Sequence, residues 1–115
     1  MECYLDNSAT TKPCKAAVDA EISALTELYG NPSSLHQKGV DAYMLLEKSR
    51  GTIAASLKAS PDEIYFTPCG TVSNNTAIFG AVDAKKRLGK KIVTTALEHP
   101  SVEKCMERLE ESGFE

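Results

Sequence analysis

Ile64-Tyr65-Phe66-Thr67-Pro68-Cys69-Gly70-Thr71-Val72-Ser73-Asn74-Asn75 is the stretch on which the fold turns. Its first four residues are β-branched or aromatic and follow the breaker Ser60-Pro61-Asp62, which predicts a short buried strand over 64–67. Pro68-Cys69-Gly70 reads as a tight turn, and a helix is expected over 71–87, stopped by Gly89. A glycine between strand and helix leaves backbone N–H groups facing outward at a helix N-terminus, where unpaired donors and the macrodipole favour an anion such as phosphate. Thr71 and Ser73 add hydroxyls. Taken alone, such a turn is more often only a turn.

Downstream, Lys91-Ile92-Val93-Thr94-Thr95 predicts the next strand, and Pro100 opens a further helix with Val102, Met106 and Leu109 on one face and Gly113 as its C′ residue. Strand–helix–strand–helix order calls for parallel pairing with a right-handed crossover. Ligands of open parallel sheets bind beyond the carboxyl ends of the strands. Parallel 64–67 and 91–95 strands would therefore bring the 69–71 turn and His99, in Glu98-His99-Pro100-Ser101-Val102, to one edge. The plainer reading of His99 is a helix N-cap or a surface histidine.

Upstream, residues 3–6 read as a short extended stretch before the polar loop Asn7-Ser8-Ala9-Thr10-Thr11. Pro13 fits a first helical turn, and Val18, Ile22, Leu25 and Tyr29, at offsets 0, 4, 7 and 11, predict a helix over 13–29 that ends at Gly30-Asn31-Pro32. Ser34-Leu35-His36-Gln37 has the form of a capping box, so a second helix is expected from there to about residue 58, with Tyr43, Leu46, Ile53 and Leu57 on its apolar face. The plain reading of Asn31-Pro32-Ser33-Ser34-Leu35-His36 is a loop with a helix cap.

With 115 residues, 42% of them apolar and 25% charged, the composition is that of an ordinary globular chain of one domain at most. A net charge of −3 argues against nucleic acid or an anionic membrane as partner. No apolar run approaches the ~20 residues of a membrane span. The opening Met1-Glu2-Cys3-Tyr4-Leu5-Asp6 lacks the basic and apolar regions of a signal peptide, which leads to the expectation of a cytoplasmic protein. Cys3, Cys14, Cys69 and Cys105 form no C-x-x-C pair, so free thiols are expected and no metal set. Gly113-Phe114-Glu115 turns apolar as if entering another strand, and two parallel strands do not make a self-sufficient sheet; the pattern suggests a fragment.

Tyr4-Leu5-Asp6-Asn7-Ser8-Ala9-Thr10-Thr11 resembles the opening of the cysteine desulfurases of the NifS/IscS type. Gly30-Asn31-Pro32-Ser33-Ser34-Leu35-His36, Phe66-Thr67 with Gly70-Thr71-Val72-Ser73-Asn74-Asn75, Glu98-His99-Pro100-Ser101-Val102 and Leu109-Glu110-Glu111-Ser112-Gly113-Phe114-Glu115 resemble later family blocks in the right order. The resemblance covers the whole chain. It implies the amino-terminal part of an α/β, fold-type I large domain of the class V aminotransferase group: two amino-terminal helices, then a β-α-β-α parallel unit, with residues 1–115 as one segment of that domain.

The family takes sulfur from L-cysteine with pyridoxal 5′-phosphate, giving alanine and an enzyme persulfide for iron–sulfur cluster assembly. By the same resemblance Gly70 and Thr71 hold the cofactor phosphate and His99 stacks on its ring. The 7–11 and 31–36 segments lie near the substrate entrance or a partner subunit, and the partners are a second copy or the remainder of the enzyme, L-cysteine and sulfur-acceptor proteins. The family's Schiff-base lysine, pyridinium-pairing aspartate, sulfur-accepting cysteine and carboxylate-binding arginine belong to a later region. No catalytic residue is therefore expected here, and the isolated chain is expected to be inactive, with weak cofactor binding or none. Where the family reads S-G-G-T-E-S or S-G-A-T-E-S, this chain has Pro68-Cys69-Gly70-Thr71-Val72-Ser73, losing an N–H donor and a carboxylate. Cys69 reads better as a buried structural thiol than as a sulfur acceptor. Rival readings are a non-catalytic interaction module derived from that family and a free-standing phosphate-binding α/β unit.

Overall fold

The computed structural model describes residues 3–115; Met1 and Glu2, which open the predicted leader-free start, lie outside the described residues. The chain divides into two compact units, Met1–Ile64 and Tyr65–Glu115.

The first unit carries α1 (Lys15–Thr26), α2 (Gln37–Leu57) and a single 3₁₀ turn, Pro61–Glu63. α1 is shorter than the predicted 13–29. Its last amides close on the Ser23 carbonyl, from Glu27 at 2.9 Å and Leu28 at 3.1 Å, and the chain leaves the helix before Tyr29. None of its residues is buried, and the stripe of Val18, Ile22 and Leu25 faces solvent.

Between the helices, Asn31 forms the Asx turn its type favours, accepting from the Ser33 N–H at 2.9 Å. The capping box expected from Ser34 and Gln37 does not cap the helix. His36 is the N-cap and accepts from the Gly39 N–H at 3.4 Å, while Gln37 donates to Asp41 at 2.7 Å. The shift follows from crowding. A Cβ on Gly39 would stand 2.2 Å from the Ser34 carbonyl oxygen, and one on Gly30 2.0 Å from that of Lys38. The loop therefore folds against the first turn of α2, and Ser34 is spent on that contact. Lys38 ties the two helices together, donating to the Glu27 carbonyl at 3.1 Å with its ammonium 5.3 Å from the Tyr29 ring centroid.

α2 ends at Lys58, which takes the left-handed conformation (φ 54°). The Lys58 amide then reaches Ala55 at 3.3 Å and the Ala59 amide reaches Ala54 at 2.9 Å, which satisfies carbonyls the helix would otherwise orphan. Ser60-Pro61-Asp62, read as a breaker, is the entry to the 3₁₀ turn. The Ser60 N–H donates to Glu63 at 2.7 Å, and the Arg50 guanidinium of α2 reaches the Ile64 carbonyl.

The second unit pairs α3 (Gly70–Lys85) with α4 (Pro100–Glu111). α4 buries Ser101, Cys105 and Leu109, spaced one turn apart. This corrects the predicted face: Leu109 belongs to it, but Val102 and Met106 are only half-buried on its flank. The end of α4 follows the glycine expectation. Gly113 has φ 84°, its amide reaches Glu110 at 2.9 Å, and the Phe114 amide reaches Leu109 at 3.1 Å, a Schellman motif.

The predicted β-α-β-α unit is not formed among the described residues, where 64–67 and 91–95 belong to no strand. Nor is 64–67 buried, since Tyr65 is 81% exposed. β-propensity makes a segment extended, but only a partner's hydrogen bonds make it a strand. The partner that 91–95 finds is not 64–67. Glu115 donates to the Lys90 carbonyl and accepts from the Ile92 N–H, each at 2.7 Å, the slanted alternation of a parallel pair.

Candidate functional site

Cys69, the N-cap of α3, is extended (φ −165°, ψ 166°) and its side chain makes no capping bond. The first bond that closes the helix runs from the Ser73 amide to the Cys69 carbonyl at 3.1 Å, so the amides of Gly70, Thr71 and Val72 are the orphan donors every helix start carries. Thr67, rather than Cys69, organises this turn: its hydroxyl donates to the Cys69 carbonyl at 3.1 Å and lies 2.5 Å from the Ser73 hydroxyl. The Ser73 hydroxyl, still exposed, is thereby tied to Thr67, away from the ligand-donor role it suggested. Thr71 keeps its hydroxyl outside the hydrogen bonds formed among the described residues, and its carbonyl accepts from Asn75 at 2.9 Å. A Cβ on Gly70 would meet nothing within 4 Å, so the space over the first turn is open.

Gly70, Thr71, Asn74, His99 and Ser101 line one cleft of about 340 Å³. The residues singled out in the sequence, Gly70, Thr71 and His99, are thus brought together. The helix pair does this, through polar contacts between α3 and α4, without a sheet ladder between 64–67 and 91–95. Asn74 donates to the Ser101 hydroxyl at 2.8 Å, and Asn75 to the Ser101 carbonyl at 3.4 Å. His99 caps α4, its Nδ1 accepting from the Ser101 N–H at 3.1 Å, so the plain reading of this histidine also holds. Asn74 and Ser101 were not singled out beforehand. The available signal was that both lie inside the quoted motifs, one helical turn into α3 and two residues past His99.

Cys69 is exposed, which corrects its reading as a buried structural thiol; Cys105 is the buried one, donating to the Ser101 carbonyl at 3.1 Å. An N-cap lies at the solvent end of its helix, whereas Cys105 sits mid-helix on the face toward α3. The 7–11 and 31–36 segments belong to the other unit. Uncapped amides, a free hydroxyl and open backbone together suit a phosphate group, and an imidazole in the same cleft suits a flat ring attached to it.

The family model described as Aminotransferase class-V matches residues 3–115. A NifS/IcsS protein homolog of Lactobacillus delbrueckii subsp. bulgaricus is 50% identical over 111 residues, covering 96% of this chain and 29% of that protein. The cysteine desulfurase NifS of Azotobacter vinelandii is 42% identical over 114 residues, covering 98% of this chain and 28% of that one. The cysteine desulfurase IscS of Neisseria meningitidis is 44% identical over 113 residues, 97% and 28% respectively. The solved structure of a NifS-like protein superposes with a TM-score of 0.91 at 36% identity, covering 100% of this chain and 32% of the other. That of DndA from Streptomyces lividans superposes with a TM-score of 0.79 at 36% identity, covering 98% and 32%. The chain thus spans under a third of the length of the relatives it matches.

Proposed function

The chain belongs to the class V aminotransferase family, and from that premise we propose that it is the cofactor-phosphate-binding segment of a cysteine desulfurase. The observation that carries this reading is the opening of the uncapped Gly70–Thr71 helix start onto the same cleft as His99. The Gly70 and Thr71 amides and the Thr71 hydroxyl take the phosphate of pyridoxal phosphate, and His99 lies on its ring. When bound, the cofactor supplies an electron sink for chemistry at the amino acid's Cα. This chain contributes anchoring and orientation, and residues outside it contribute the cofactor-linking lysine and the sulfur acceptor. The substrate is L-cysteine, the products alanine and persulfide sulfur, and the sulfur goes to acceptor proteins for iron–sulfur cluster assembly. The exposed apolar faces of α1 and α2 support a segment that works against further protein, whether a second copy or the remainder of such an enzyme.

The test is a titration of the isolated chain with pyridoxal phosphate and with inorganic phosphate, read at the backbone amides. Binding on the order of millimolar, with the largest shifts at Gly70 and Thr71 and weakened in Thr71→Ala, is expected. No alanine should form from L-cysteine. Amide shifts centred elsewhere would overturn the site, and turnover above a cofactor-only control would overturn the division of labour.

A further inference from the structure

His99 is held by more than a helix cap. Its Nδ1 accepts from the Ser101 N–H at 3.1 Å and lies 2.8 Å from the Ser101 hydroxyl, which in turn receives the Asn74 amide at 2.8 Å. Direction can be read along this chain of bonds. A backbone N–H only donates, so Nδ1 must present a lone pair. The Asn74 NH₂ occupies a lone pair of the Ser101 oxygen, which leaves the hydroxyl proton for Nδ1. Both donors at Nδ1 therefore require the proton of the neutral ring to sit on Nε2. Ser101 is buried, and its carbonyl is held twice, by Asn75 at 3.4 Å and by the Cys105 thiol at 3.1 Å. The relay thus rests on a fixed backbone.

We propose that Asn74 and Ser101 are positioning residues that hold His99 as its Nε2–H tautomer, so that the ring offers the cleft a hydrogen-bond donor. The inference rests on the reading of this cleft as the cofactor site, and it adds the polarity of that site. Any occupant bonding to the ring edge does so through an acceptor atom: an oxygen, a carboxylate or a thiolate.

Ring ¹⁵N shifts of His99 in the 115-residue chain near pH 8 read the tautomer with no ligand present. Wild type should show a proton-bearing Nε2 and an unprotonated Nδ1, well beyond the mixture free histidine shows. Asn74→Asp replaces the donor by an acceptor, so the hydroxyl proton turns to Asp and Nδ1 should gain a proton. Adding Ser101→Ala to that variant cuts the link and should restore an unprotonated Nδ1. Helix content from far-ultraviolet circular dichroism monitors folding, and Asn74→Leu, of similar size and without hydrogen bonds, should protonate Nδ1 less than Asn74→Asp does, because the Ser101 N–H still donates to it and nothing draws the hydroxyl proton away. A mixed tautomer in wild type overturns the proposal. So does an Nδ1 indifferent to residue 74 in a folded variant. The phosphate titration is a separate readout: an intact tautomer with no phosphate response leaves the relay standing and removes the cofactor reading, and the reverse result removes the relay alone.

Discussion

Glycines at 39 and 51 lie in the same helix and face opposite demands. A Cβ at Gly39 would stand 2.2 Å from the Ser34 oxygen and 2.8 Å from that of Asn31, both backbone atoms with no room to yield, whereas at Gly51 it would meet nothing within 4 Å. Gly39→Ala should destabilise the first unit by about 3 kcal/mol or more. Gly51→Ala should stabilise it by about 0.5–1 kcal/mol, since the helix interior then loses its most flexible residue. Urea unfolding of the two variants side by side checks both signs. Asp62 tests a smaller effect. The Ser60 hydroxyl holds its carboxyl below the ordinary carboxylate value, with the Asp62 amide adding to the shift. A depressed folded value contributes stability above the unfolded value and loses it as pH falls through the folded one, so the contribution is fully present above about pH 4 and is lost below it. In Ser60→Ala the Asp62 titration followed by NMR should move up toward the ordinary carboxylate range, and a titration curve unchanged by the substitution would remove this account.

Helix termini separate what local chemistry settles from what packing settles. α4 stops where a glycine can turn left-handed, and Gly113 was legible as that residue because the requirement is its own. α2 stops at Lys58 in the same conformation, with φ 54°, and nothing in a lysine announces it. The left-handed turn costs an L-residue about 1 kcal/mol, so Lys58→Gly should raise stability by about that much, read as a higher thermal midpoint of the α2 signal. A lowered midpoint would mean that the lysine side chain contributes more than its backbone costs. The start of α2 shows the same division. Ser34 and Gln37 satisfy a capping pattern, yet the crowding of Gly39 against Ser34 gives the cap to His36. In α4 the pattern marked an apolar face correctly but placed its centre one residue away. The buried line through Ser101, Cys105 and Leu109 contains a serine that no hydrophobic pattern would select, and it is buried because Asn74 and Asn75 of α3 bind it.

The chain as a whole leaves much apolar surface uncovered. Val18 is 38%, Ile22 53% and Leu25 68% exposed along one face of α1, and no residue of that helix is buried. A continuous stripe of this kind drives association at about 25 cal/mol per Å² covered. Sedimentation velocity at micromolar concentration should therefore show a concentration-dependent species larger than the monomer, shifted toward monomer in Ile22→Glu. A compact monomer across the whole range would contradict this. No helix among the described residues is long and apolar enough to cross a membrane.

Helix positions, the glycine terminator at 113 and the grouping of Gly70, Thr71 and His99 around one cleft were legible in the chain itself. Each depends on interactions within a few residues, or on a motif whose order is written in the sequence. Pairing was not legible. Whether 64–67 and 91–95 become strands depends on which backbone lies beside them, and the first bonds of 90–92 go to Glu115 across an intervening helix. The exposure of Cys69, the bond between the Thr67 and Ser73 hydroxyls and the tie from Asn74 through Ser101 to His99 likewise arise only when α3 and its flanking turns pack. Propensity and capping act along the chain and can be read from it, whereas burial and hydrogen-bond direction belong to pairs of groups that only folding brings together.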